Sequence, residues 1–176
     1  MRGVLTCRGR LYDGAPANSL EHVLDKSPEL FASIRPDLVA LVGPLAERSE
    51  KLLCERGDFL PHAAVLTDEG KVTMLGAMCS TPAGFANAWH IMPMLYDGLR
   101  AMANEKELRA VAIAECVHEI PGIEKTRAIK VHVEHQRAYT IVFFLPFSQD
   151  SEGQYVFGRT VSVQAEPEIK VWTQGF

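Results

Sequence analysis

The densest group of chemically capable side chains in this sequence is His132-Val133-Glu134-His135. If the segment is a strand, alternation puts His132 and Glu134 on one face, about 7 Å apart at their Cα atoms, and turns His135 to the other. An imidazole beside a carboxylate is the raw material of an acid–base pair, and with His118 on a neighbouring strand it could also start a metal site. His118, His132 and Glu134 are therefore the candidate catalytic residues. The competing reading is an ordinary polar strand face, because two strand ligands without a third nearby make no metal centre. Glu115, in an otherwise apolar stretch, is either a buried functional carboxylate or the cross-strand partner of Lys125, Arg127 or Lys130.

Other chemistry lacks its signature. The chain holds no G-x-S-x-G or S-x-x-K nucleophile motif and no G-x-G-x-x-G or Walker phosphate loop. Cys79-Ser80-Thr81 precedes a helical pattern, where a helix N-terminus can activate a thiol, but nothing places His90 beside it. The four cysteines are widely and irregularly spaced, with no C-x-x-C. Cys54 and Cys116 lie in apolar patterns and read as free buried thiols of a reduced, intracellular chain. No closed four-ligand spacing exists, so neither metal nor cofactor is expected.

Charge narrows the partners. The 18 basic and 22 acidic residues give a net charge of −4, and no Lys/Arg block exceeds two in a row. Nucleic-acid binding asks for a concentrated basic face, and none is present. The first residues lack the apolar core of a signal peptide, and no stretch reaches the length of a membrane span. A cytoplasmic protein without membrane contact is expected.

The elements that would position these residues follow from periodicity. Residues 1–35 read as an arm, with loop chemistry around Asp13–Asn18, a short helix capped by Ser19, and Pro28 opening a helical segment that stops before Pro36. Residues 36–176 form the single main domain. Leu38, Leu41, Val42, Leu45, Leu52 and Leu53 make a helical stripe, interrupted at Gly43-Pro44 and closed by Gly57. Residues 59–67 and 71–77 form a hairpin with Gly70 at the turn. After a loop at 79–87, a second helix runs to about Ala103, its stripe being Ile91, Met94, Leu95, Leu99 and Met102, with Pro93 in its first turn or at a kink.

The remainder is strand. Residues 109–119 alternate, with Ala110, Ala112, Ala114 and Cys116 on one face, small enough for a helix to come close. Residues 127–135 and 154–164 also alternate. Residues 138–147 are apolar on both faces and predict an interior strand. A last strand is expected over 168–172. Together these predict an α+β domain, an antiparallel sheet of five to six strands with helices on one face.

Three stretches carry a likeness: LLCERGDFLPHAAVL at 52–66, AVAIA at 110–114, and VHVEH at 131–135 with FLPF at 144–147. They resemble a group of small bacterial proteins of unknown function, which implies a bacterial, cytoplasmic protein and assigns no residue a role. The element order from residue 36 also resembles that of profilin-like and roadblock-type domains, an analogy of fold alone. Two functions compete. One is a non-enzymatic binding or regulatory protein acting as a homodimer or with a protein partner. The other is a small-molecule enzyme using His118, His132 and Glu134.

Overall fold

The structure, a computed structural model of the chain, describes residues 28–77, 87–123 and 126–172. The arm before Pro28, including the Ser19 cap, lies outside them, as do most of the 79–87 loop and Cys79.

Helix α1 spans Pro28–Arg56 without interruption, through both Pro36 and Pro44. The breaks predicted at those prolines are absent. Both rings lie on the solvent side of the helix, so the carbonyls four residues earlier, deprived of a donor, are near water rather than in the core. The inward side is a stripe at intervals of three and four residues: Ile34, Leu38, Leu41, Leu45, Ser49 and Leu53. Gly57 ends the helix with φ +78, its N–H donating to the Leu53 carbonyl at 2.8 Å. Strands β1 (His62–Thr67) and β2 (Val72–Gly76) follow as the expected hairpin, with Gly70 at φ +80 in the turn. Helix α2 covers Ala88–Glu105 and is capped by Asn87, whose side chain accepts from the His90 N–H. Pro93 falls in its second turn, and Met94, expected inward, is 45% exposed.

The remaining strands are β3 (Leu108–Val117), β4 (Ala128–His135), β5 (Tyr139–Gln149), β6 (Tyr155–Phe157) and β7 (Val161–Gln164). All pairings are antiparallel, in the order β2-β1-β3-β4-β5-β6, with β7 also paired to β5. The sheet has seven strands because the alternating stretch at 154–164 is two strands. They separate at Gly158, whose N–H donates to the Pro146 carbonyl. β5 is interior, with β4 on one edge and β6 and β7 on the other. The expected strand at 168–172 is irregular chain instead.

The helices do not share a face of the sheet, contrary to the sequence reading. α1 packs with Ala64, Ala110, Ala112, Ala114, Val131, Val133, Ile141 and Phe143. α2 packs with Ala63, Val65, Val111 and Ile113, the alternate residues of the same strands. The alanine row is the shelf on which α1 rests closely, as expected. The second face is covered by α2 and by the segment from Ala165 to Trp172, where Ile169 is fully buried in the α2 cluster. Two-sided apolar strands are thus explained within one chain. Cys54 is disulfide-bonded, not a free thiol, which withdraws the cysteine argument for a reduced compartment. No helix among the described residues is long and apolar enough to cross a membrane.

Candidate functional site

β4 sets the geometry. Its residues alternate between the two faces, so Lys130, His132 and Glu134 all point to the α2 side. There Glu134 is 2% exposed and His132 is 3% exposed. His132 Nε2 donates to Glu134 Oε1 at 3.2 Å, so the imidazole and the carboxylate expected on one strand face are in direct contact. His118 does not join it. His132 is in register with Ile113, and His118 lies five residues further on, past the end of β3 and exposed. Strand rise puts that at about 16 Å.

The Glu134 carboxylate faces backbone. Oε1 accepts from the N–H of Ile169 at 2.6 Å and of Lys170 at 3.2 Å, and Oε2 from Val171 at 3.3 Å. Three consecutive N–H groups wrapped around one anion form a nest. Lys170 has the positive φ of +59 that such a wrap requires. Burial by itself would raise the pKa of Glu134. The hydrogen bonds from His132 and from these three N–H groups outweigh it and hold the carboxyl below the usual range. A carboxylate stabilised in this way is a poor general base.

Around this pair lies a second ring of charge. Lys130 Nζ sits 3.0 Å from Glu115 and 3.1 Å from Glu168. Burial opposes its charge, but the two carboxylates raise its pKa. Glu115 is thus the cross-strand partner of Lys130, in direct register. Tyr96 donates to Glu168 Oε2 at 3.3 Å. Burial and the Glu168 and Glu115 charges push that phenol up to about 12. Arg100 Nε donates to the Ile169 carbonyl at 2.7 Å. No group of three or more His, Cys, Asp or Glu side chains is placed to hold a metal among the described residues.

Tyr96, Arg100, Glu168 and Ile169 were not read from the sequence as site residues. They come from two elements far apart in the chain, and 168–172 has no periodic pattern that marks a docked segment. The alternation of Glu168, Ile169 and Lys170 invited the strand reading.

On the α1 side, His135 closes a separate cluster. Its Nε2 donates to Asp37 Oδ2 at 3.1 Å, while its Nδ1 accepts from the Arg137 N–H at 3.2 Å. Arg109 also contacts Asp37, at 3.4 Å. Burial lowers the His135 pKa, with Arg137 and Arg109 adding to the effect and Asp37 opposing it. His62 is buried against α1, with Nδ1 donating to the Leu60 carbonyl at 3.2 Å and Nε2 at 3.3 Å from Ser49 Oγ. Burial lowers its pKa as well, with Arg48 contributing.

These two histidines give a pH dependence with a definite sign. In the unfolded chain an imidazole takes its proton near pH 6.5, whereas in the fold both hold out to lower pH. Their contribution is fully present above pH 6.5 and is lost as the pH falls below it. The slope is at most about 1.4 kcal/mol per pH unit for each histidine. Glu134 acts in a lower window. Its contribution is present above the ordinary carboxylate range and disappears as the pH falls through its depressed value. Urea titrations from pH 7.5 to 5 should show declining stability, with a flatter slope in His62→Gln/His135→Gln. A rise in stability over this range would contradict the burial of both rings.

No family model, no curated protein and no solved structure matches this chain. The likeness to small bacterial proteins therefore rests on the three quoted stretches alone.

Proposed function

We propose that this protein is a non-enzymatic binding or regulatory protein, acting as a homodimer or with a protein partner. The observation that carries the reading is Trp89, 88% exposed at the start of α2. Met94, one and a half turns on, is 45% exposed. Large apolar side chains left in water at one end of a helix are typical of contact surfaces, and tryptophan is prominent among residues that dominate binding energy. The interior supports the same reading. His132 and Glu134 hold each other and the backbone of 169–171, and Lys130 is held between two glutamates. Side chains engaged in this way stabilise a fold, and the His132–Glu134 pair is not open to a substrate.

Sedimentation at tens of micromolar tests this. The wild-type chain is expected to form a dimer and Trp89→Ser a monomer, with unchanged far-UV circular dichroism. A wild-type monomer removes the homodimer form of the proposal. A dimer unaffected by Trp89→Ser removes the α2 end as its contact.

A further inference from the structure

The segment Glu168–Val171 sits in the fold as a ligand sits in a site. It makes no ladder with the sheet; the last ladder-like bond before it is Ala165 N–H to the Thr140 carbonyl. Beyond the short link Ala165-Glu166-Pro167, side chains of β4 and α2 receive it. Glu134 takes its three consecutive N–H groups. Arg100 takes the Ile169 carbonyl. The Ile169 side chain is fully buried with Ile91, Leu95 and Leu99. The Glu168 carboxylate lies between Lys130 Nζ and the Tyr96 hydroxyl.

A further feature lies beside the same carboxylate. His132 Nδ1 is buried and has no hydrogen-bond partner among the described residues. It stands 3.8 Å from Glu168 Oε1. With Nε2 donating to Glu134, this Nδ1 carries a lone pair, so the groove holds one acceptor that its present occupant leaves without a donor. The groove reads an acidic side chain, then an aliphatic one, then a run of backbone N–H groups. The bound form also imposes φ +59 on a lysine, a conformation unfavourable for a residue other than glycine and one that the groove must hold in place.

We propose that this groove between β4 and α2 is a recognition site for an acidic–aliphatic peptide segment, filled here by residues 168–171 of the same chain, and that its occupant in trans is the same segment of a second copy. The inference rests on the polypeptide-binding reading above and names the partner. A second copy presents an identical segment, so exchange through the 165–167 link reproduces every contact in trans without requiring a new one. Glu134 captures backbone donors in the manner of nest recognition, with the donor and acceptor sides reversed between site and ligand.

The test uses the full-length chain and a fluorescein-labelled peptide of residues 165–172. Lys170→Pro removes one N–H and forbids the positive φ, which should unseat the segment in cis. Glu168→Ala, at an exposed side chain, is the gentler second variant. Peptide anisotropy is expected to show at least tenfold tighter binding to Lys170→Pro than to wild type, because the tethered segment competes at an effective concentration of about millimolar. Adding Glu134→Gln to Lys170→Pro should abolish that binding. If both Lys170→Pro and Glu168→Ala are folded and bind no better than wild type, the site is refuted. Sedimentation then separates the partner from the surface. A wild-type dimer lost in Lys170→Pro as well as in Trp89→Ser establishes exchange, with the α2 end as a second contact of the same dimer. A dimer lost only in Trp89→Ser overturns exchange and leaves the α2 contact standing.

Discussion

Replacing Glu134 with alanine should cost about 3–5 kcal/mol, the range for removing one partner of a buried charged network. The carboxylate is 2% exposed and receives the N–H groups of Ile169, Lys170 and Val171 together with His132 Nε2. Its removal leaves four buried or half-buried donors facing a gap, each bearing a desolvation penalty that its own bond no longer offsets. For a chain of this size the loss corresponds to roughly 10 °C in melting temperature. Glu134→Gln keeps an acceptor oxygen in place and should lose less, about 1–3 kcal/mol. The chain has two tryptophans, so in a Trp89→Phe background the emission reports Trp172 alone, one residue beyond the nest. Glu134→Ala should shift that emission to the red as well as lower the urea midpoint. If stability falls by less than about 1 kcal/mol and Trp172 emission is unchanged, Glu134 does not hold the C-terminal segment.

The same residue shows how far the sequence could be read. Alternation over 127–135 correctly put His132 and Glu134 on one face, and direct contact followed. The two-sided apolar character of 138–147 correctly made β5 interior. These conclusions depend only on a local period of two. What lay beyond reach depended on contacts distant in sequence. Glu134 meets backbone N–H groups about 35 residues later, and a backbone donor has no side-chain signature. The positive φ of Lys170 was equally hidden, since a glycine would have signalled it and a lysine does not. The prolines of α1 misled for a related reason. A proline is destructive where its missing N–H leaves a buried carbonyl unpaired, and the sequence alone did not show that both rings face solvent. Placing both helices on one face of the sheet was an error of the same kind. Alternation shows that a strand has two apolar faces, but not which helix covers each.

The docking of α1 on the alanine shelf gives the second large effect. Leu45 is fully buried midway along the inner stripe, in a cluster with Ala64, Ala110, Ala112 and Ala114, all fully buried. Leu45→Ala should cost about 2–5 kcal/mol, the range for a large-to-small change in a core. The upper half of that range is expected. The cost depends on how well neighbours collapse into the space, and alanines have no rotamers with which to fill it. The helix itself cannot settle inward, because Leu41 and Leu53 on either side are also fully buried and hold its height above the sheet. Leu52→Ala, on the same helix but only partly buried against the cluster, is the control for helix propensity and should cost clearly less. The opposite change, Ala112→Leu, raises the shelf under the helix and should cost about 1–3 kcal/mol through overpacking. Urea unfolding at constant m value gives the three numbers on one scale. If Leu45→Ala is no more costly than Leu52→Ala, the close seat of α1 on the alanine row is not what holds this face together.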